Sequence, residues 1–157
     1  MAHFLIILHI LTAMLFLGPV TVAVSTFHTR ALAAHNGEEN AKGAASTLYK
    51  ITQAYGNLSI LVPLIGFAIM FTNSKFWHEG RFHASILLAV IAWVLLYFVI
   101  YPRQKKMMGA LGLLEADEQA AETYEVADWD KAKGQLSMFG GIFSLLWVVI
   151  AILMMWH

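Results

Sequence analysis

The sequence predicts an all-α integral membrane protein: four transmembrane helices in an up-down bundle, with helices 1 and 2 extended into the cytoplasm. Three observations carry that prediction. First, four apolar segments, about 4–24, 54–71, 84–101 and 136–156, contain no Asp, Glu, Lys or Arg. Their lengths of about 18–21 residues match what a helix needs to cross a ~30 Å hydrocarbon core. Second, only 13% of the residues are charged and 59% are hydrophobic, against ~25% charged in a soluble domain. Third, the basic residues fall unevenly between the connections. Arg30, Lys42 and Lys50 lie between spans one and two, and Arg103, Lys105, Lys106, Lys131 and Lys133 between three and four; only Lys75 and Arg81 lie between two and three. The positive-inside rule places the two longer connections, 25–53 and 102–135, in the cytoplasm, and both termini and the 73–82 loop outside. The expected location is the cell inner (cytoplasmic) membrane, with residues 1–157 forming one multi-pass domain.

Span one reads Phe4–Val24. It lacks the basic leader and small-residue cleavage site of a signal peptide, so it is expected to be retained. His9 is its one titratable residue, and Gly18-Pro19 predicts a bend. The helical pattern continues beyond Val24 to His35-Asn36-Gly37, where Gly37 is a good terminator. Glu38 and Glu39 suit the first turn of a second helix through its dipole. That helix runs on into span two, so the first two helices form a hairpin projecting into the cytoplasm. Pro63 and Gly66 predict a bend inside span two. Two bends at different depths are consistent with simple packing irregularity or with a cavity between them.

The 73–82 loop carries Phe76, Trp77 and Phe82, which suit an interfacial aromatic belt, and Trp156 falls on the same side. Span three ends in Tyr101-Pro102-Arg103-Gln104-Lys105-Lys106, with Pro102 expected to open a bent continuation. Residues 103–134 then form a basic-then-acidic cytoplasmic connection. Residues 107–114 are apolar but too short to cross, and are expected to lie on the membrane surface or against a partner. Residues 115–130 hold seven acidic side chains and four alanines. They are expected to form a solvated helix or a docking surface for a basic partner. In span four, Gly140 and Ser144 share a face next to Gly141. Such small residues permit close helix approach, within the bundle or toward another protein.

The chemistry is sparse. With no cysteine, disulfides, iron–sulfur clusters and thiolate catalysis are excluded. Charge-free spans argue against ion-coupled transport, which places ionisable groups inside the membrane. Ten basic residues balance ten acidic ones, so no nucleic-acid partner is expected. His3, His78, His83 and His157 fall on the outer side, and His9 in the outer half of span one. Imidazole suits a haem iron, and His9 with His83 is the candidate cofactor-binding pair for haem b. No two histidines have the i, i+4 spacing of a helical metal site, so no metal ligand set is assigned. Equally, His9 suits a buried histidine bonded to a backbone carbonyl or hydroxyl. No nucleophile stands with a base and an orienting acid, so no catalytic residue is assigned. Gly18, Pro19, Pro63, Gly140 and Gly141 are the candidate structural or interaction positions. A small transporter or quinone-binding module around Pro19 and Pro63 is a further option.

Leu8-His9-Ile-Leu-Thr-Ala-Met-Leu-Phe-Leu-Gly18 resembles a signature of small four-helix bacterial membrane proteins of the DUF2269 type. Tyr101-Pro102-Arg103-Gln-Lys105-Lys106-Met107, Lys133-Gly134 and Leu153-Met-Met fit the same pattern, although that family often carries Gly-Gly where this chain has Gly18-Pro19. The first span is also similar in form to membrane protoporphyrinogen oxidases of the HemJ type and to CopD-type copper-resistance domains. In the HemJ type the span-one histidine corresponds to His9. That type also uses a span-three lysine, where this chain offers Ala84, Ser85 and Ile86. Small helical proteins of this sort resemble accessory subunits of actinobacterial cytochrome bc–aa3 supercomplexes. The resemblances imply a non-catalytic accessory or assembly subunit of a respiratory membrane complex, with other membrane subunits and the lipid bilayer as partners and no cofactor. They imply as the alternative a haem- or metal-binding redox protein using His9.

Overall fold

The structure, a computed structural model, describes residues 2–72 and 74–156. Asn73 and His157 thus lie outside the described residues. The fold is all-α, 86% helical and without strands among the described residues. Four helices are long and apolar enough to span a membrane: α1 (His3–His35), α2 (Glu39–Met70), α3 (Gly80–Ala110) and α5 (Trp129–Met155). The short α4 (Ala116–Ala121) lies between α3 and α5. A 3₁₀ turn over Ser74–His78 leads from α2 to α3.

The three prolines explain the irregularities of the long helices. A proline inside a helix has no N–H to give to the carbonyl four residues back, and its ring crowds that carbonyl. For Pro19, Pro63 and Pro102 the carbonyls concerned belong to Leu15, Ser59 and Phe98. Each lies in a distorted stretch. Leu15 sits in a π-helical turn over Ala13–Leu17, and Phe98 in another over Leu96–Ile100. Ser59 sits where α2 departs from regular helix, and its carbonyl accepts from Val62 N at 3.0 Å instead. The bends expected at Gly18-Pro19 and Pro63 are therefore π- or 3₁₀-type adjustments centred a turn before each proline.

Helix ends follow local chemistry. Gly37 adopts φ 97° and Gly112 φ 71°, a conformation that only glycine takes cheaply. Both complete the same carbonyl-capping pattern: Glu38 N donates to Ala33 O at 3.0 Å, and Leu113 N to Met108 O at 3.0 Å. Asp128 Oδ1 accepts from Lys131 N at 2.9 Å and caps the start of α5.

Neighbouring helices pair in opposite chain directions. Between α1 and α2, Phe16 meets Tyr55 and Phe27 meets Tyr49. Between α1 and α5, Gly140 lies on the Val24 carbonyl and His35 stacks on Trp129. Between α2 and α3, Ser59 bonds Trp93 and Tyr49 bonds Tyr101. Between α3 and α5, Trp93 meets Trp147 and Arg103 lies over Phe139. The two diagonals are thus α1 with α3 and α2 with α5, and α1 approaches α3 directly in the core half.

The core is uneven along the bundle. In the half containing the α1–α2 connection, buried Phe27, Tyr49, Leu96, Ile100, Met107, Met108, Leu136 and Phe143 fill the interior. Buried alanines Ala23, Ala31, Ala34, Ala41 and Ala45 let α1 and α2 approach closely there. In the other half, α1 packs mainly on α2, and α3 on α5. The two pairs part, and a cleft opens between them.

Two expectations for the third connection differ from the structure. Residues 107–110 do not lie on a surface: α3 continues through them, and Met107 and Met108 are buried in the chain's own core, with Leu111, Leu113 and Leu114 packed against it. The acidic stretch is not one long helix either. It is helical only over Ala116–Ala121, and from Glu122 it runs extended. Its Tyr124 ring lies directly on Gly109, a contact that any Cβ would block. Gln119 Nε2 donates to Gly109 O at 2.9 Å, and Lys105 pairs with Glu118 at 3.3 Å. The connection straps across the end of the bundle because burying its apolar residues outweighs the weak alanine preference for helix.

Candidate functional site

The cleft encloses about 390 Å³, within the ~300–1,000 Å³ range of small-molecule sites. It exists because small residues from all four long helices meet there: Ala13 of α1, Gly66 of α2, Ser85 and Ala89 of α3, and Ala151 of α5. These small side chains leave space that the larger residues around them do not fill. Pro63 also lines it, so the irregular turn at Ser59 contributes to its shape. Phe67, Phe82, Trp93 and Trp147 supply aromatic walls.

His9 projects into this cleft. Its ring lies against the backbone of α2 at Gly66: a Cβ on residue 66 would stand 2.9 Å from His9 Cε1. Gly66 is therefore a seat for an imidazole as well as a point of helix flexibility. The ring hydrogen-bonds to the Val62 backbone, as expected of a buried histidine, and Nδ1 is the one ring nitrogen found buried without a partner. Thr12, one turn on, returns its hydroxyl to the Leu8 and His9 carbonyls, both at 2.9 Å, and gives the ring nothing.

Two more polar atoms on the same walls have no partner: Ser85 Oγ on α3 and Trp147 Nε1 on α5. Ser85 is 1% exposed. All three atoms have under 1 Å² of accessible surface, so none is presented to the cleft, and unpartnered buried atoms also occur away from it on His28, Gln104 and Gln119. Trp93, the neighbour of Trp147, shows the ordinary alternative. Its Nε1 donates to Ser59 Oγ at 3.0 Å, and that hydroxyl donates to Gly56 O at 2.6 Å.

The other sequence-selected residues fall as follows. His83 is exposed, has Nδ1 3.3 Å from Glu79 O, and does not line the cleft. Gly18 is exposed with open space around it, and Pro19 is half-buried outside the cleft. Gly140 is pressed on the Val24 carbonyl of α1, where a Cβ would stand 2.7 Å from the oxygen. The Gly140–Ser144 seam is thus filled by this chain's own α1, with Ser144 Oγ 3.3 Å from Ser25 Oγ. Gly141, one residue on, is exposed with nothing near it.

A second polar group lies nearer the strap. Tyr101 accepts from Tyr49 Oη at 3.0 Å and from Gln53 Nε2. The Tyr49 and Tyr101 rings stack 5.5 Å apart. Tyr97 Oη donates to Asn57 Oδ1 at 2.9 Å. These bonds tie α2 to α3 around a cavity of about 160 Å³, and the group reads as a helix clamp.

Ser85, Trp147 and the seating role of Gly66 are the cleft features that sequence reasoning did not single out. The available signal was the run of small residues at matching depths in four spans. Comparison with protein-family models, curated proteins and solved structures gives no match.

The donor set does not suit haem b held by His9 and His83. The cleft offers one imidazole, His83 is not on its wall, and no Lys or Arg among its lining residues would pair with propionates.

Proposed function

We propose that this chain is a multi-pass membrane protein, an up-down four-helix bundle in the cytoplasmic membrane, that binds an apolar ligand in the cleft at His9. The observation that carries this reading is the cleft itself, about 390 Å³ with almost wholly apolar walls between two helix pairs. Such walls favour an apolar body. With the 73–82 loop outside, the cleft lies in the outer half of the bilayer and is reached from the lipid between α1 and α2 on one side and α3 and α5 on the other. The role of the lining residues is binding by shape: Phe67, Phe82, Trp93 and Trp147 form the walls, and Gly66 keeps the His9 imidazole against α2. The test is solvent extraction of protein purified in mild detergent, followed by mass spectrometry. A co-purifying lipid-soluble molecule that is lost from Ala89→Leu, which fills the cleft, is the expected result. An empty protein that Ala89→Leu only makes more stable identifies a packing void and defeats the reading.

A second reading, that of a non-catalytic accessory or assembly subunit of a respiratory complex, is favoured by the packing of α1. Its most apolar window is 6% buried, against 28% in α2, 28% in α3 and 17% in α5. Phe4, Ile7, Leu11, Met14 and Leu15 all face outward. A partner subunit lying on that face accounts for a span with so little intrachain packing. Purification of a tagged chain in mild detergent is expected to recover other membrane subunits; a free monomer alone counts against it.

A further inference from the structure

We propose a second binding site on the cytoplasmic side of the bundle: a groove between α2 and α3 that holds the head group of an anionic phospholipid. It rests on the membrane-spanning reading and its orientation, and not on a ligand in the cleft. The cavity of about 160 Å³ is lined by Thr52, Gln53, Asn57, Leu96, Tyr97 and Tyr101. All but Leu96 carry a polar group, the reverse of the cleft at His9. Its volume falls below the ~300 Å³ at which sites for whole small molecules begin, so it suits the polar end of a larger molecule. The two helices present the same order of chemistry along it. On α2, Lys50, Gln53, Asn57, Leu61 and Leu64 follow at steps of three or four residues. On α3, Lys105, Tyr101, Tyr97, Val94 and Val90 do so in the opposite chain direction. Such steps keep each series on one helix face, and Leu61, Leu64, Val90 and Val94 are exposed. From the cytoplasm inward the order is ammonium, polar side chain, hydrocarbon. A phospholipid has the matching order: phosphate, glycerol esters, acyl chains.

Hydrogen-bonding capacity is left over in this groove. Tyr97 Oη donates to Asn57 Oδ1, and Gln53 Nε2 donates to Tyr101. Asn57 Nδ2 and Gln53 Oε1 remain to be used; Asn57 is exposed, and neither atom is among the buried ones without a partner. A lipid-facing amide is costly unless bonded. Phosphate and ester oxygens accept from Asn57, and a head-group hydroxyl donates to Gln53. The two lysines meet at the same end. Lys50 pairs with Glu115 at 3.4 Å and Lys105 with Glu118 at 3.3 Å. These two acids stand three residues apart at the start of α4, and Lys105 lies near Tyr101 of the groove. Neither ion pair is buried, and such pairs add little. A phosphate between the two ammoniums therefore displaces the carboxylates, and basic sites between helices on the cytoplasmic side select anionic lipids in this way. The strap is the competitor: its acids hold the lysines when no lipid does.

The test is native mass spectrometry of the full chain in mild detergent, titrated with phosphatidylglycerol or with phosphatidylcholine of the same acyl chains. One phosphatidylglycerol retained more tightly than phosphatidylcholine is expected. Lys50→Gln with Lys105→Gln is expected to weaken that binding roughly tenfold. The charge-matched pair Lys42→Gln with Lys131→Gln, outside the groove, is expected to leave it unchanged. Asn57→Leu keeps every charge and is expected to weaken binding roughly three- to tenfold. Glu115→Gln with Glu118→Gln removes the competitor and is expected to tighten it. Each variant is first checked for an unaltered melting profile; the lysine and glutamate pairs, none of them buried, keep the test open if Asn57→Leu misfolds. Equal retention of the two lipids, equal losses from the two lysine pairs, or weaker binding without Glu115 and Glu118 overturns the proposal. Displacement of the lipid by soluble glycerol phosphate assigns the site to a free phosphate compound and overturns the lipid assignment. The cleft is untouched by all of these substitutions, so their failure leaves the apolar ligand to its own test.

Discussion

Adjacent glycines in α5 should respond to the same substitution with opposite sign. In Gly140→Ala the new Cβ meets the Val24 carbonyl oxygen at 2.7 Å, about 0.6 Å inside the ~3.3 Å at which carbon and carbonyl oxygen ordinarily meet. The obstacle is backbone in the middle of α1, so no rotamer change relieves it and the helices must separate. Separation loosens Val20, Val24, Phe27 and Phe143, all at most 1% exposed, and lengthens the Ser25–Ser144 contact. Overpacking of this kind costs ~1–3 kcal/mol, offset by ~1 kcal/mol from replacing glycine by alanine in a helix. The net loss is ~0–2 kcal/mol, a fall in Tm of up to ~8 °C for a chain of this size. In Gly141→Ala nothing lies within 4 Å of the new Cβ, so only the propensity gain remains, up to ~1 kcal/mol and ~2–4 °C upward. Thermal melts followed by circular dichroism in one detergent measure both. A Gly140→Ala protein stabilised as much as Gly141→Ala refutes the assigned α1–α5 seam.

Further outcomes follow from other contacts. Gly66→Ala should cost less than ~1 kcal/mol, because the group it meets is the movable ring of His9; it should nonetheless shift the His9 Cε1–H resonance in NMR, and an unmoved resonance contradicts the seat described. Tyr101→Phe removes the acceptor shared by Tyr49 and Gln53 and should destabilise by ~1–3 kcal/mol, measured by the same melts. Gly109→Ala drives a methyl into the Tyr124 ring, so limited proteolysis should cut within residues 113–128 faster than in the parent; equal rates would mean the strap does not depend on that contact. Glu118→Gln breaks the half-buried pair with Lys105 and should lower stability by less than ~1 kcal/mol, a difference that shrinks in high salt.

How far the chain could be read before its structure depends on whether the deciding physics is local. The four long apolar helices, the Gly37 stop and the three proline-linked irregularities were legible, because each follows from a property of one or a few consecutive residues: hydropathy, a positive φ, a missing N–H. Even there, reading Pro19 as the bend misplaced the distortion by a turn, since the carbonyl that loses its partner is four residues back. What was not legible depends on which helix faces which. His9 could be matched with His83 only if α1 and α3 met at that depth; there α1 packs on α2 and α3 on α5, and the ring meets Gly66. Gly140 and Gly141 look alike in sequence, but a helix turns 100° per residue, so one reaches Val24 and the other meets nothing. The strap escaped for a related reason. Its alanines and acids describe a helix in isolation, while Leu111, Leu113, Leu114 and Val126 gain more by covering the end of the core. The cleft belongs to this non-local class as well. Ala13, Gly66, Ser85, Ala89 and Ala151 are unremarked in their own spans, and only their meeting leaves room for a cleft between the two helix pairs. A cavity between helices is thus written in the sum of several unremarkable positions, which is why no single span announces it.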